Sequence, residues 1–208
     1  QQRCIEMNTY WPPLVPGAIY HIYNRGNNRE NIFYTAENVR FFLERYTKYM
    51  DPVLETYAYC LLPNHFHLLA RVKTKEEIEA QSGGASQDDR VGVDLPSFQN
   101  LVSLLQPDHP DSRFATKKRN TFVVTEQTGE LVSRQFRLMF MSYAKAINKQ
   151  EGRVGSLFQK NFRRKPVASD AHLINLVLYI HANPQLHGLC DDFKDWTDSS
   201  YYSFLSDS

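Results

Sequence analysis

The stretch LPNHFHLLARV, residues 62–72, places two histidines two positions apart in an otherwise apolar run. The run before it, LETYAYCLL, is also apolar, and Pro63-Asn64 separates the two, a pattern that predicts a β-hairpin. Residues i and i+2 of a strand point to the same face. His65 and His67 are therefore predicted to project side by side, with Phe66 facing the opposite way into apolar packing.

Two neutral imidazoles on one strand face supply two-thirds of a facial metal site. They also suit a plainer interpretation, in which both histidines form hydrogen bonds with neighbouring strand residues. A metal site needs a third ligand and a reacting group, so the decision between the two depends on the rest of the chain.

The remaining patterns predict strand, helix, hairpin, insert, helix, strand and helix in that order. GAIYHIYNRG (17–26) alternates like a strand. TAENVRFFLERYTKYM (35–50) predicts a helix with a capping box, in which Thr35 is the N-cap and Asn38 takes the usual place of glutamate. This order favours an α+β fold with an antiparallel sheet and helices packed on one face.

The segment 74–130 differs in texture from the rest of the chain, because it is polar and rich in Gly and Ser around residues 82–94. We interpret it as an insertion or mobile extension within a single domain that spans 1–208. A second helix is predicted to begin at Ser133 and to carry Tyr143 on its apolar stripe, which makes that tyrosine a core residue.

The last predicted helix carries the polar groups that the histidine pair lacks. Ser169-Asp170 cap it, and it should end near Asn183 because Pro184 follows. Tyr179 and Asn183 are four residues apart and share one face. The alternative is a polar surface stripe with a half-buried tyrosine.

Charge is unevenly distributed in a chain whose net charge is only +1. Nine basic residues and one acid, Glu151, lie between Arg134 and Lys165, which indicates a polyanionic partner unless the block is only a solvated face. The candidate DNA-binding residues in it are Lys145, Lys149, Arg153, Lys160, Arg163, Arg164 and Lys165. Phe158 and Phe162 are interleaved with them and could stack on unpaired bases.

Three scattered cysteines without CxxC spacing, and no signal peptide or apolar span of membrane length, predict a cytoplasmic protein. The cysteine pattern argues against a disulfide framework and against a structural zinc site.

HFH after a Pro-Asn turn, followed far downstream by LYIHANPQLHGL, resembles the HUH single-tyrosine transposases, in particular the IS200-like and REP-associated group. GSLFQKNFRRKPV and WTDSSYYSF add to the likeness, which covers roughly residues 17–73 and 131–205. The resemblance implies a ferredoxin-like (RRM-like) sheet with the histidine pair on a central strand. It also implies Tyr179 as nucleophile, and a metal held by His65, His67 and Asn183.

The function that this resemblance implies is a metal-dependent single-stranded DNA endonuclease and strand transferase, active in DNA transposition through a 5′-phosphotyrosine. The expected cofactor is Mg²⁺ or Mn²⁺, and the expected partner is single-stranded or hairpin DNA. Whether the protein acts as a monomer or a homodimer stays open. Two alternatives remain: a catalytically silent or domesticated nucleic-acid-binding module on the same fold, and an unrelated metal hydrolase.

Overall fold

The structure is a computed structural model that describes residues 11–82 and 122–204. Its strands and helices, in chain order, are β1 (Ile19–Arg25), α1 (Ala36–Met50), β2 (Leu54–Leu62), β3 (His65–Val72), α2 (Lys75–Ser82), α3 (Phe122–Gln150), β4 (Arg163–Pro166) and α4 (Asp170–Leu186). Short 3₁₀ turns lie at 27–29, 193–195 and 201–204.

The four strands form one antiparallel sheet in the order β2-β3-β1-β4. With α1 and α3 as connections, the chain follows the β-α-β-β-α-β order of a ferredoxin-like fold, to which α4 is added. The predicted α+β class is therefore confirmed. The histidine pair lies on β3, which has a hydrogen-bonded neighbour on each side and is thus a central strand.

Alternation along β3 divides the core between the two faces of the sheet. Phe66 and Leu68 point into the larger cluster with α1 and α3, where Phe42 and Phe136 are fully buried. Leu69 points into a smaller cluster with α4. The long helices α1 and α3 thus cover one face, while α4 covers part of the face that carries the histidines.

The predicted hairpin and the cap of α1 are confirmed by contacts. The Thr35 side chain accepts a hydrogen bond from the Asn38 backbone N–H, and the Asn38 side chain accepts one from the Thr35 N–H, which completes the capping box. Ser169 caps α4 through the His172 backbone N–H, as its position predicts.

Two predicted helix ends are wrong. Ser133 is not an N-cap, because α3 begins at Phe122 and passes through Gly129. A Cβ at Gly129 would stand 2.5 Å from the Leu14 carbonyl oxygen, so this glycine serves close packing and not a break. Helix α4 does not stop at Asn183 but continues through Pro184 to Leu186. A proline so near the end removes only one hydrogen bond of the last turn.

The predicted insertion falls largely outside the described residues. Its first residues form α2 and its last ones belong to the start of α3, while 83–121 lie outside the described ranges. The division into one domain with an insertion at 74–130 stays a prediction. Among the described helices, none combines the length and the apolar character that a membrane span needs.

Candidate active site

The structure places His65 and His67 next to each other on β3, with ring centroids 5.2 Å apart and ring planes nearly perpendicular. Both side chains are buried. Nδ1 of His65 lies 2.6 Å from Oδ1 of Asn64, and Nδ1 of His67 lies 2.9 Å from Nε2 of His21. Because the Nδ1 atoms are engaged, each imidazole has Nε2 left for a ligand.

The partner of His67 was missed by the sequence analysis. His21 lies on β1, which pairs with β3, and it packs against Tyr23 as well as His67. The local sequence around His67 gives no sign of this contact, but the order of the strands in the sheet could have revealed it. Once β1 is placed beside β3, every second residue of IYHIYNR faces the histidine pair.

The site keeps its imidazoles neutral. Burial, reinforced by Arg25 and His187, lowers the pKa of His65 to about 4. Burial, reinforced by His21 and His65, lowers the pKa of His67 to about 2. Near neutral pH both rings therefore offer an unprotonated nitrogen, the form that binds a metal ion.

Helix α4 brings its polar residues over this pair of rings. The centroids of the Tyr179 and His67 rings are 5.8 Å apart, and the ring planes are nearly perpendicular. Tyr179 is 43% exposed. Two turns further on, His187 packs 4.9 Å from His65. Asn183 lies halfway between Tyr179 and His187 along the chain.

Asn183 is fully buried and only half satisfied. Its Nδ2 donates to the Tyr179 carbonyl at 2.7 Å, while its Oδ1 has no hydrogen-bond partner among the described residues. Buried amide oxygens are rarely left unpaired. No three His, Cys, Asp or Glu side chains in the described part of the chain form a ligand group, so a third protein ligand would be another donor. The Asn183 oxygen fits that requirement.

A cavity of about 340 Å³ opens over the two histidines and Tyr179. Its lining includes His65, His67, Tyr179, Arg25, Arg29 and Arg163. Three guanidinium groups give it a positive wall suited to a phosphate. The sequence analysis missed the two arginines of the 25–29 segment. Gly26 allows this tight segment, because a Cβ there would collide with the Glu30 carbonyl oxygen.

The predicted DNA-binding residues do not form one surface. Arg163 and Lys165 of β4 lie opposite Tyr23 and His21 of β1, and so stand on the histidine side of the sheet. Lys145, Lys160 and Arg164 line a different cavity beside α3. Arg153 forms an ion pair with Glu30, and Lys149 is exposed at the end of α3.

Two further sequence interpretations meet different outcomes. Tyr143 is a core residue as predicted, because it is fully buried and donates a 2.6 Å hydrogen bond to the Ile32 carbonyl. Phe158 does not suit the predicted stacking on bases, because it is buried against Phe140 and Phe66. Phe162 is only partly buried.

Comparisons with known proteins point to one class, the REP-associated tyrosine transposases. The chain is 25% identical over 150 residues to "Putative REP-associated tyrosine transposase" of Haemophilus influenzae, an alignment that covers 71% of this chain and 59% of the relative. A solved structure described as a REP-associated tyrosine transposase bound to a REP hairpin matches with a TM-score of 0.53 and 16% identity. That match covers 96% of this chain and 86% of the solved one. No family model matches the chain.

The match spans little more than half of the length of the Haemophilus influenzae protein. The solved structure shares the fold. The resemblance drawn from HFH and LYIHANPQLHGL is confirmed, since both matches are to proteins described as REP-associated tyrosine transposases.

Proposed function

We propose that this protein is a metal-dependent single-stranded DNA endonuclease and strand transferase that acts through a 5′-phosphotyrosine. One observation carries the proposal: the Tyr179 ring stands half-exposed at the edge of the His67 ring, in a cavity walled by Arg25, Arg29 and Arg163. A nucleophile, a ligand pair and a phosphate-binding wall are the three parts that cleavage of a phosphodiester requires.

The chain's own residues define the reaction. The arginines hold the phosphate by charge-assisted hydrogen bonds and orient it toward α4. The Tyr179 oxygen attacks phosphorus, its phenolic proton passes to solvent, and the bond from phosphorus to the 3′ oxygen breaks. The departing 3′ oxygen takes up a proton and becomes a 3′-OH. Tyr179 then carries the 5′-phosphate of the downstream strand.

The phosphotyrosine bond allows strand transfer to proceed without an external energy source. A 3′-OH of the same or another strand attacks the phosphorus, a new phosphodiester forms, and the Tyr179 phenol is released. Because the number of phosphate ester bonds is unchanged, the step needs no nucleotide hydrolysis. This suits DNA rearrangement better than degradation.

Three residues would hold the metal ion: His65 and His67 through Nε2, and Asn183 through the unpaired Oδ1. A bound Mg²⁺ or Mn²⁺ would neutralise charge on a non-bridging phosphate oxygen. His21 keeps the His67 ring in the orientation that directs Nε2 toward the cavity, as hydrogen-bonded partners of metal-binding histidines do.

The proposed substrate is single-stranded DNA or a DNA hairpin with unpaired flanks. The 340 Å³ cavity receives a phosphate at the exposed Tyr179, which a single strand can reach more easily than a paired one. A REP hairpin is the ligand that the description of the solved relative names.

The test is to incubate purified protein with labelled single-stranded oligonucleotides and Mn²⁺ and to look for an adduct that survives denaturation. We expect the adduct with the unmodified protein and its loss in Tyr179→Phe. Tyr202→Phe is the matched control, since Tyr202 is 53% exposed and lies outside the cavity. Adduct formation that persists in Tyr179→Phe would contradict the assignment. DNA binding without any adduct would favour the catalytically silent module.

A further inference from the structure

A second cavity, which the proposed reaction does not use, lies beside α3 and the segment 155–162. Its volume is about 980 Å³. That is the upper end of the roughly 300–1,000 Å³ typical of ligand sites. It lies on the α3 side of the sheet, whereas Tyr179 lies on the α4 side.

The interior of this cavity is lined by aromatic and apolar side chains. Trp11 is 39% exposed, and Phe140 and Phe162 contribute two further rings. Arg164 stacks over the Phe162 ring at 5.1 Å and donates to the Pro12 carbonyl, which holds the ring and the guanidinium in place. The exposed Trp11 ring is a flat aromatic surface, and such a surface accepts a nucleobase through its π-face, whatever its identity.

The lining of the cavity is also positively charged. Arg137, Lys145, Lys160 and Arg164 contribute to its lining, and no acidic side chain does so among the described residues that form it. Four cations around aromatic surfaces match a ligand with a flat apolar part and several negative charges. Consecutive nucleotides of a nucleic acid strand have that chemistry.

The two cavities adjoin each other. Asn24 and Gln159 line both of them, and the Asn24 side chain approaches the Gln159 carbonyl at 3.4 Å. A strand with one phosphate at Tyr179 could therefore pass this pair of residues and enter the larger cavity. Paired bases could not enter in the same way, because their faces are stacked and their edges are occupied.

We propose that the larger cavity binds an unpaired nucleotide of the same DNA strand whose phosphate lies at Tyr179. The base stacks on Trp11, and the flanking phosphates contact Lys145 and Lys160. This inference rests on the proposed function. It adds a binding subsite that positions the strand and that selects unpaired DNA next to the cleaved phosphate.

Tryptophan fluorescence tests the inference directly. The chain contains two tryptophans, so Trp196→Phe leaves Trp11 as the single reporter. In the Trp196→Phe/Tyr179→Phe protein, which cannot consume the substrate, a mixed-sequence single strand should quench Trp11 in a saturable manner. A blunt duplex of the same sequence should not. Equal quenching by both, or none by the single strand, would overturn the proposal.

Affinity measurements supply the second arm. Lys145→Ala/Lys160→Ala should lower single-strand affinity at least about fivefold and reduce the salt slope by about 1.4, from the loss of two phosphate contacts. Trp11→Ala should lower it about tenfold, the effect of one stacked base. Lys48→Ala/Lys75→Ala is the matched control, because it removes two exposed lysines outside both cavities.

The outcomes separate the two proposals. Two outcomes would remove the subsite and leave the reaction intact. In the first, adducts form at Tyr179 but Trp11 is not quenched. In the second, adducts form and the two lysine double variants lose the same single-strand affinity. Quenching without adducts would remove the reaction and leave a single-strand binding cavity.

Discussion

Replacing His21 should weaken metal binding although His21 is not itself a proposed ligand. Its Nε2 lies 2.9 Å from Nδ1 of His67, and both side chains are buried. In His21→Leu the volume is kept but the hydrogen bond is lost, so Nδ1 of His67 faces an apolar group. An unsatisfied buried donor costs about 1–3 kcal/mol. Loss of such a partner lowers metal affinity about 10- to 100-fold, or about 1.4–2.7 kcal/mol.

The assay is a Mn²⁺ titration of the purified protein, with free Mn²⁺ followed by electron paramagnetic resonance and without DNA. His21→Gln restores a polar group near the position of the histidine Nε2 and should recover most of the affinity. His172→Leu serves as the control, because His172 is exposed at the start of α4. Equal Mn²⁺ affinity in His21→Leu and the unmodified protein would refute the positioning role, and so would a failure of His21→Gln to improve on His21→Leu.

Three other predictions concern stability, ligation and charge. Tyr143→Phe should lose the hydrogen bond to Ile32 and about 1–2 kcal/mol of unfolding free energy in urea, yet still form DNA adducts; loss of adducts in a folded variant would challenge its core role. Asn183→Leu should lower the Mn²⁺ affinity to that of the histidine pair alone, and unchanged affinity would remove Asn183 from the ligand set. Arg163→Ala/Lys165→Ala should flatten the salt slope of single-strand binding by about 1.4, whereas an unchanged slope would place the DNA elsewhere.

Most of the sheet and its central histidine pair follow from local patterns. The two apolar runs LETYAYCLL and HFHLLARV, separated by Pro63-Asn64, determine the hairpin, and the Thr35 capping box determines where α1 begins. Helix ends depend on tertiary contacts, which a local pattern does not contain. Gly129 remains helical because its missing Cβ makes room for the Leu14 backbone, and the sequence around it gives no sign of that contact.

The site shows the same division. Tyr179 and Asn183 share a helix face by spacing, and the structure places the Tyr179 ring against His67 and joins Asn183 to the Tyr179 carbonyl. His21 and Arg25 come from another strand, so only the pairing of β1 with β3 reveals them. The basic block misled in a different way, because β-alternation sends Arg163 and Arg164 to opposite faces of the sheet.

The central claim is that Tyr179 forms the covalent bond to DNA, and the most direct measurement is to locate that bond. Single strands labelled at the 5′ or the 3′ end are incubated with the protein and Mn²⁺, the adduct is digested, and the modified peptide is sequenced by mass spectrometry. The account predicts a 5′-phosphate on Tyr179, retention of the 3′ label on the protein, and a free 3′-OH on the released fragment. A modified residue other than Tyr179, or retention of the 5′ label on the protein, would contradict it.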